Sequence, residues 1–334
     1  MRLMYLSFSD KGEALASRLA ETLGGEASRC NRPRALAQWT RTAFAQAQGM
    51  VFVGAAGIAV RAIAPLLKSK TEDPAVVVVD ECGHFAIPIL SGHLGGANDL
   101  ARAIAGACGA TPVLTTATDA NGLFAVDEWA KRQNCKVINP GRIKLVSSAV
   151  LSGQTVKVFC PWPIKGDCPP GVALADSETD CAVQLDVRAS GQKCLQLVPG
   201  ILTLGIGCRK GTSQDALEQA FVRLLAKSGV HGSAVCAAAS VDLKREEPGL
   251  LAFCEHHGWP CRFYSSAELE AVPGEFTASD FVKSVTGVDN VCERSAVLAS
   301  GGTLYWKKSA EGGVTMALAQ APYAPDWRWL EHGE

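Results

Sequence analysis

The sequence lacks an excess of charge of either sign. Its 334 residues include 32 Lys and Arg against 33 Asp and Glu, which gives a net charge of −1. It also has no basic run interleaved with aromatic residues, so no general attraction to nucleic acid or anionic lipid is expected. An anionic ligand must therefore be held by a few individually placed Arg or Lys side chains. We expect neither nucleic acid nor a membrane among the partners of the protein.

Long uninterrupted hydrophobic runs are also missing. The longest apolar stretch, residues 50–67, contains Gly54, Gly57, Arg61 and Pro65. These interruptions favour a strand, a turn and a helix over a membrane span. The first ten residues become polar too early for a signal peptide.

The cysteines form no CxxC pair, although there are thirteen of them. Their odd number and scattered positions argue against a disulfide framework, so we interpret them as reduced thiols, each acting as a small buried hydrophobic residue. This usage is typical of a reducing cytoplasm, which is the expected location.

The sequence does contain an alternation of strand-like and helix-like segments. The apolar run 3–8 precedes a helical spacing of leucines at 15, 19 and 23, and the strand-like run 201–207 precedes another helical pattern. Such alternation predicts an α/β fold: two α/β domains with largely parallel sheets, joined by a small, partly β middle segment. The expected boundaries are 1–135, 136–199 and 200–334.

A glycine-rich segment, residues 88–99, lies between a buried strand and a helix start. It contains His93 together with Gly92, Gly95 and Gly96. Ligands of α/β sheets bind at the carboxyl ends of strands, where free N–H groups and the helix dipole favour an anion or a developing oxyanion. His93 is placed to act as a general acid or base near neutral pH. The alternative is a tight turn with a capping or surface histidine.

Two further strand-to-helix turns carry cationic residues. In the turn 54–61, Arg61 lies one turn inside the helix and could bind a phosphate or carboxylate, although the pattern is not GxGxxG. The segment 205–212 superficially resembles a P-loop, but its order is Lys-Gly-Thr rather than Gly-Lys-Thr, which removes the main support for nucleotide hydrolysis. Arg209 and Lys210 can still bind a carboxylate at a helix start, with a solvated turn as the alternative.

Metal-ligating residues are present without the spacing of a standard zinc site. Cys82, His84 and His93 do not follow such a pattern, and the two histidines lie at opposite ends of one predicted strand. The sequence also has no GxSxG or HExxH motif. We therefore predict no protein-held metal, and the residues alone indicate an α/β protein, with hydrolases among the candidates, that acts on an anionic small molecule.

Eight segments of the chain carry a resemblance to a known family. Four lie in the first part of the chain: GAAGIAVRAIAPLL (54–67), VVVVD (76–80), PILSGHLGGAND (88–99) and TTATD (115–119). Four lie in the last part: GIGCRKG (205–211), ASVDLK (239–244), EPGLL (247–251) and VDNVCERSAVL (288–298). The first four resemble the N-terminal domain of the CbiG family, the cobalt-precorrin-5A hydrolases of anaerobic cobalamin biosynthesis, and the last four resemble its C-terminal domain, itself similar to the CobE proteins of the aerobic pathway. The middle segment matches only as the variable central region.

The resemblance implies hydrolysis of the ring-A acetate δ-lactone of cobalt-precorrin-5A to cobalt-precorrin-5B, with release of acetaldehyde. It further implies that His93 is the base, that Asn98 or Asp99 positions the water or the histidine, and that no cofactor is needed because the substrate carries the cobalt. The expected substrate-binding residues are Arg61, Ser91, Gly92, Gly95, Gly96, Arg209 and Lys210. The expected partners are the anionic cobalt-tetrapyrrole and neighbouring enzymes of the pathway.

Two other function classes compete with this one. A carrier or escort protein that protects an unstable tetrapyrrole intermediate would bind the same ligand without turning it over. A nucleotide-dependent enzyme would need a phosphate loop, which the sequence lacks. The sequence does not indicate an oligomeric state.

Overall fold

The structure is a computed structural model. It describes residues 2–31, 33–69, 72–92, 95–115, 121–188 and 193–329. His93 lies outside these ranges. Residues 1–128 and residues 129–334 form two compact units. Within the described ranges, no helix is both long enough and apolar enough to cross a membrane.

The first unit contains a six-stranded sheet. Its strands are β1 (Leu3–Ser7), β2 (Glu26–Arg29), β3 (Gly49–Val53), β4 (Ala75–Val79), β5 (Phe85–Leu90) and β6 (Thr111–Pro112). The helices up to the end of this unit are α1 (Asp10–Leu23), α2 (Pro33–Gln46), α3 (Ala56–Ile63), α4 (Ala97–Cys108) and the start of α5 (Val126–Arg132). The strand order is β2-β1-β3-β4-β5-β6, and all neighbours pair in parallel except β4 and β5.

Helices cover both faces of this sheet. Every residue of β1, β3 and β4 is buried, and the two sides of each strand contribute to different cores. Leu3, Tyr5 and Val51 pack in one core with residues of α1 and α4, while Leu6 and Phe52 pack in the other with residues of α2 and α3. Central strands covered on both faces need the continuous apolar runs seen in the sequence, and the α/β prediction is confirmed.

The direction of the antiparallel strand β5 determines the sheet edge at which the glycine-rich segment lies. Because β5 runs back along β4, Leu90 pairs with Val76 and Ala86 with Val79. The loop after β5 therefore leaves the sheet at the edge where β1, β3 and β4 begin. The expectation that this loop joins the carboxyl edge of the parallel strands is wrong; the turn 80–84 lies there instead.

The second unit contains two five-stranded sheets. The strands are β7 (Cys135–Val137), β8 (Val156–Phe159), β9 (Val172–Leu174), β10 (Val183–Leu185), β11 (Leu195–Pro199), β12 (Leu202–Cys208), β13 (Val235–Val241), β14 (Cys261–Tyr264), β15 (Thr303–Glu311) and β16 (Val314–Gln320). The helices that follow α5 are α6 (Ile143–Leu151), α7 (Gln214–Ser228), α8 (Pro248–His257), α9 (Ser266–Glu270), α10 (Asp280–Thr286) and α11 (Cys292–Ser300). The strand orders are β7-β11-β10-β8-β9 and β14-β13-β12-β16-β15.

These two sheets differ in strand direction. In the first, only β7 is antiparallel to its neighbour. In the second, β12, β13 and β14 are parallel, whereas β16 is antiparallel to both of its neighbours, β12 and β15. The partly β middle segment thus has a sheet of its own. The boundaries 1–135, 136–199 and 200–334 stay a prediction.

Strand β12 meets a different kind of neighbour on each face. Leu202, Leu204 and Ile206 pack with α7 and α8 in one hydrophobic core. On the other face, a Cβ atom at Gly205 would overlap the main-chain carbonyl of Cys292, at the start of α11. Gly205 therefore allows close helix–strand packing, which is a structural reason for the first glycine of the P-loop-like segment.

A C-terminal strap, residues 321–329, folds back onto α5. The indole N–H of Trp129 donates to the carbonyl oxygen of Asp326 at 2.6 Å, and the rings of Trp129 and Trp327 stack with centroids 5.2 Å apart. The hydroxyl of Tyr323 donates to the carbonyl of Gln133 at 2.9 Å. The strap therefore satisfies buried polar groups of a segment that lies 197 residues earlier.

All thirteen cysteines are free thiols in the structure. The interpretation of each as a buried hydrophobic residue is wrong for three of them, because Cys82, Cys168 and Cys236 are exposed.

Candidate functional site

Ser91, directly after β5, has an unusual backbone conformation. Ser91 has a φ of 55°, in the left-handed region that costs a non-glycine residue about 1–3 kcal/mol and that recurs at functional sites. The Ser91 hydroxyl donates to the carbonyl of Asp73 at 2.9 Å. The Ser91 carbonyl accepts the N–H of Ala97 at 3.1 Å. Contacts on both sides thus fix the strained residue.

The two positions before α4, Gly95 and Gly96, both favour glycine. A Cβ atom at Gly95 would overlap the Cβ of Ser91 and lie 2.8 Å from the Ser91 carbonyl oxygen, so only glycine fits there. Gly96 precedes α4 with a φ of 84°, which also favours glycine.

The N–H groups at the start of α4 fall into two sets. Those of Ala97 and Asn98 donate to the carbonyls of Ser91 and Gly92, at 3.1 and 2.9 Å. Within the described ranges, the N–H groups of Gly95 and Gly96 donate to no acceptor. Main-chain donors at the N-terminus of a 12-residue helix suit a developing negative charge.

Asn98 and Asp99 differ in position, although they are adjacent. The side chain of Asn98 is 1% exposed and lies against Gly92, its Oδ1 being 3.0 Å from the position of a Cβ there. The carboxylate of Asp99 accepts a hydrogen bond from Arg102 at 3.1 Å, one helical turn further on. Asn98 is therefore the residue of this pair that the structure places against the loop.

Arg61 lies on α3, in its last turn, with an exposed side chain. The helix α3 starts at the edge where β3 ends and runs back toward the opposite edge, because helices that follow parallel strands return along the sheet. The chain then reaches Asp73, whose carboxylate accepts the N–H of Lys68 at 3.0 Å and whose carbonyl accepts the Ser91 hydroxyl. Sequence reasoning missed this anchor, because nothing in the pattern around Asp73 indicates a partner 18 residues away.

In the second unit, the loop after β12 presents two cationic side chains. The side chains of Arg209 and Lys210 are exposed. In contrast, Lys244 after β13 donates to the buried carboxylate of Glu247 at 3.0 Å, and the same carboxylate accepts the N–H of Gly211. Glu247 therefore fixes the loop and neutralises Lys244, which leaves Arg209 and Lys210 available to an anionic ligand.

We expect Glu247→Gln to flatten the dependence of thermal stability on pH in acid. The N–H of Gly211 and then the Lys244 ammonium lower the pKa of Glu247 below its ordinary 4.5. A lowered pKa stabilises the fold above 4.5, and this stabilisation is lost as the pH falls through the folded-state pKa. Melting temperatures from about pH 3 to pH 6 should therefore fall less steeply in the variant than in the wild type. Parallel curves would show that the contact does not contribute.

The structure thus places five predicted residues where β5 leads into α4: Ser91, Gly92, Gly95, Gly96 and, in the first turn of the helix, Asn98. Arg61 and Asp99 belong to the same unit, with Asp99 paired to Arg102. Arg209 and Lys210 lie together in the second unit. The roles of all these residues stay predictions, as does that of His93.

Comparison with known proteins shows the family to which the chain belongs. The chain matches the cobalamin synthesis G N-terminal model over residues 38–119, the cobalamin biosynthesis central region over 124–197 and the cobalamin synthesis G C-terminus over 202–319. It is 35% identical over 301 residues to the cobalt-precorrin-5A hydrolase of Salmonella typhimurium, which covers 85% of each chain.

Two other relatives agree with this match. The cobalt-precorrin-5A hydrolase of Priestia megaterium is 33% identical over 306 residues, or 84% of this chain and 80% of that one. Protein CobE of a Sinorhizobium species is 34% identical over 121 residues, or 35% of this chain and 79% of its own. The chain therefore belongs to the CbiG family of cobalamin biosynthesis.

Proposed function

We propose that the protein is a cobalt-precorrin-5A hydrolase, which opens the ring-A acetate δ-lactone to give cobalt-precorrin-5B and releases acetaldehyde. The observation that carries this proposal is the 35% identity to a hydrolase of that name over 85% of both chains. The N-terminus of α4 supports it, because main-chain N–H groups at a helix start are the kind of donor that a lactone hydrolase uses for its oxyanion.

The first step is attack of water on the lactone carbonyl carbon. His93, which follows Gly92 directly in the chain, takes a proton from the water, and the N–H groups of Gly95 and Gly96 stabilise the oxyanion. The tetrahedral intermediate collapses by breaking the acyl C–O bond, so that a carboxylate and an alcohol form. Asn98, buried against Gly92, positions the water or the histidine.

The second step releases the two-carbon fragment. Loss of the proton from the new hydroxyl allows its electron pair to form the C=O bond of acetaldehyde while the adjacent C–C bond breaks. The macrocycle keeps the electron pair of that bond and takes up a proton. Water is consumed in the first step, and neither step needs an oxidant or reductant.

Cationic side chains account for binding of the anionic macrocycle. Arg61, Arg209 and Lys210 are exposed and would pair with its peripheral carboxylates, with guanidinium groups the better bidentate partners. The substrate brings its own cobalt, so we infer that hydrolysis requires no cofactor. The free thiols of all thirteen cysteines support a reducing cytoplasm as the location, and neighbouring enzymes of the pathway would be the partners.

The test is anaerobic incubation of the full chain with cobalt-precorrin-5A, following acetaldehyde and the mass of the tetrapyrrole. We expect one acetaldehyde per substrate and a mass that matches the lactone-opened product. His93→Ala should lower the rate about 100-fold or more, the usual contribution of a general base. His256→Gln, at an exposed histidine of α8, is the matched control and should keep the wild-type rate.

Other outcomes would contradict the proposal. Tight binding of the substrate without acetaldehyde would make the protein a tetrapyrrole carrier. An unchanged rate in His93→Ala would remove the base assignment but leave the hydrolase.

A further inference from the structure

The turn between β4 and β5, residues 80–84, is a compact structure at the carboxyl edge of the first sheet. The carboxylate of Asp80 accepts three main-chain N–H groups: from Cys82 at 2.9 Å, His84 at 2.8 Å and Phe85 at 2.7 Å. Gly83 supplies a φ of 72°. These bonds are typical of an aspartate that stabilises a turn. They involve neither the thiol of Cys82 nor the ring of His84.

Three different metal-ligating groups converge on this turn. The Oδ atoms of Asp80, the Sγ of Cys82 and the ring nitrogens of His84 offer one atom each within 4.8 Å of one another. The Oδ1 of Asp80 and the Nδ1 of His84 are 3.6 Å apart. Oxygen and nitrogen ligands bonded at about 2.0–2.1 Å to a tetrahedral zinc ion lie roughly 3.4 Å apart, so a shift of a few tenths of an ångström would suffice.

The charges around the turn also favour a divalent cation. The ammonium of Lys11 lies 3.0 Å from the Sγ of Cys82. Glu81, whose carboxylate accepts the hydroxyl of Ser9 at 2.6 Å, adds a second acidic group. The carboxylates of Asp80 and Glu81 against the one ammonium of Lys11 leave a negative charge beside the turn, which attracts a cation.

The donor set selects the kind of ion. A thiolate and an imidazole favour zinc-like ions such as Zn²⁺ and Co²⁺, whereas Mg²⁺ and Ca²⁺ prefer sites made only of oxygen ligands. Because Cys82 and His84 are exposed, an ion could enter without rearrangement of the core, and one coordination position would remain open to water.

We propose that Asp80, Cys82 and His84 form a binding site for a zinc-like divalent cation. The Cys82 thiol loses its proton to solvent on binding, and the thiolate, the imidazole and the carboxylate become the three protein ligands. The site lies at the sheet edge opposite the loop 91–96 and has no part in the proposed hydrolysis.

The test is a titration of the metal-free, reduced full chain with Co²⁺ under anaerobic conditions, followed by displacement with Zn²⁺. Bound Co²⁺ should show thiolate-to-cobalt charge-transfer absorption, and Zn²⁺ should remove it. Cys82→Ser and His84→Gln should each lower the affinity of this site for Co²⁺ by more than about 100-fold. Loss of a residue that only hydrogen-bonds to a metal ligand usually costs about 10- to 100-fold.

Matched controls come from exposed residues of the second unit. Cys168→Ser and His256→Gln replace the same residue types away from the turn and should bind Co²⁺ as the wild type does. Since Cys82 and His84 are exposed, their variants should keep the wild-type melting temperature. If all four variants bind Co²⁺ with equal stoichiometry and absorption, the turn is not a metal site.

Discussion

Gly95→Ala is expected to lower the rate of acetaldehyde release by about 100- to 1,000-fold, the usual cost of losing an oxyanion donor. The new Cβ would overlap that of Ser91, so the loop would have to move away from the strand. Such a shift would also disturb the bond between the Ser91 carbonyl and the N–H of Ala97, and it would displace the donors at Gly95 and Gly96. Single-turnover rates under anaerobic conditions would measure the effect on the chemical step.

The matched control lies in the helix that follows the loop. Gly106 is in α4 with no other heavy atom within 4 Å of an added Cβ, so Gly106→Ala should stabilise the helix by about 0.5–1 kcal/mol and leave the rate unchanged. A Gly95→Ala enzyme with the wild-type rate would show that the tight contact with Ser91 does not hold the oxyanion donors.

Gly205→Ala is expected to have the largest effect on folding. The methyl group would overlap the carbonyl of Cys292, which forces α11 away from β12. This shift would disturb the fully buried Glu293, whose carboxylate accepts the N–H groups of Thr277 at 2.7 Å and Lys308 at 2.6 Å. The overlap and the disturbed Glu293 together should lower the free energy of unfolding by more than about 4 kcal/mol. This loss approaches the total stability of a typical protein, about 5–15 kcal/mol.

The measurement is soluble yield together with the thermal unfolding curve of the full chain. Gly141→Ala is the control in the same unit, because nothing lies within 4 Å of its added Cβ; we expect wild-type yield. A Gly205→Ala protein that melts within about 2 °C of the wild type, a change of less than about 1 kcal/mol, would mean that α11 can move at little cost.

Much of the fold could be predicted from local patterns. The apolar run 3–8 indicated the strand β1, and the run 201–207 indicated the strand β12. Strand β2 could not be recognised, because an exposed edge strand of four residues carries no apolar pattern. The exposed thiol of Cys82 was missed because cysteine is usually buried.

The sheet edge at which the glycine-rich loop lies could have been predicted from the sequence, although our prediction of it was wrong. Only residues 80–84 separate β4 from β5, too few for the crossover that a parallel pair requires. The left-handed Ser91 could not be predicted, since its conformation depends on Asp73, a partner distant in sequence. The sequence pattern could therefore locate the glycines but not the contacts that give the loop its shape.

The C-terminal strap has a consequence for biosynthesis. Trp129 leaves the ribosome 197 residues before Asp326, its hydrogen-bond partner. At a synthesis rate of roughly 5–20 residues per second, about 10 to 40 s pass between the synthesis of Trp129 and the synthesis of the segment that covers its indole. During this interval Trp129 lacks its stacking partner Trp327, and the second unit completes its packing only after most of its sequence has been translated.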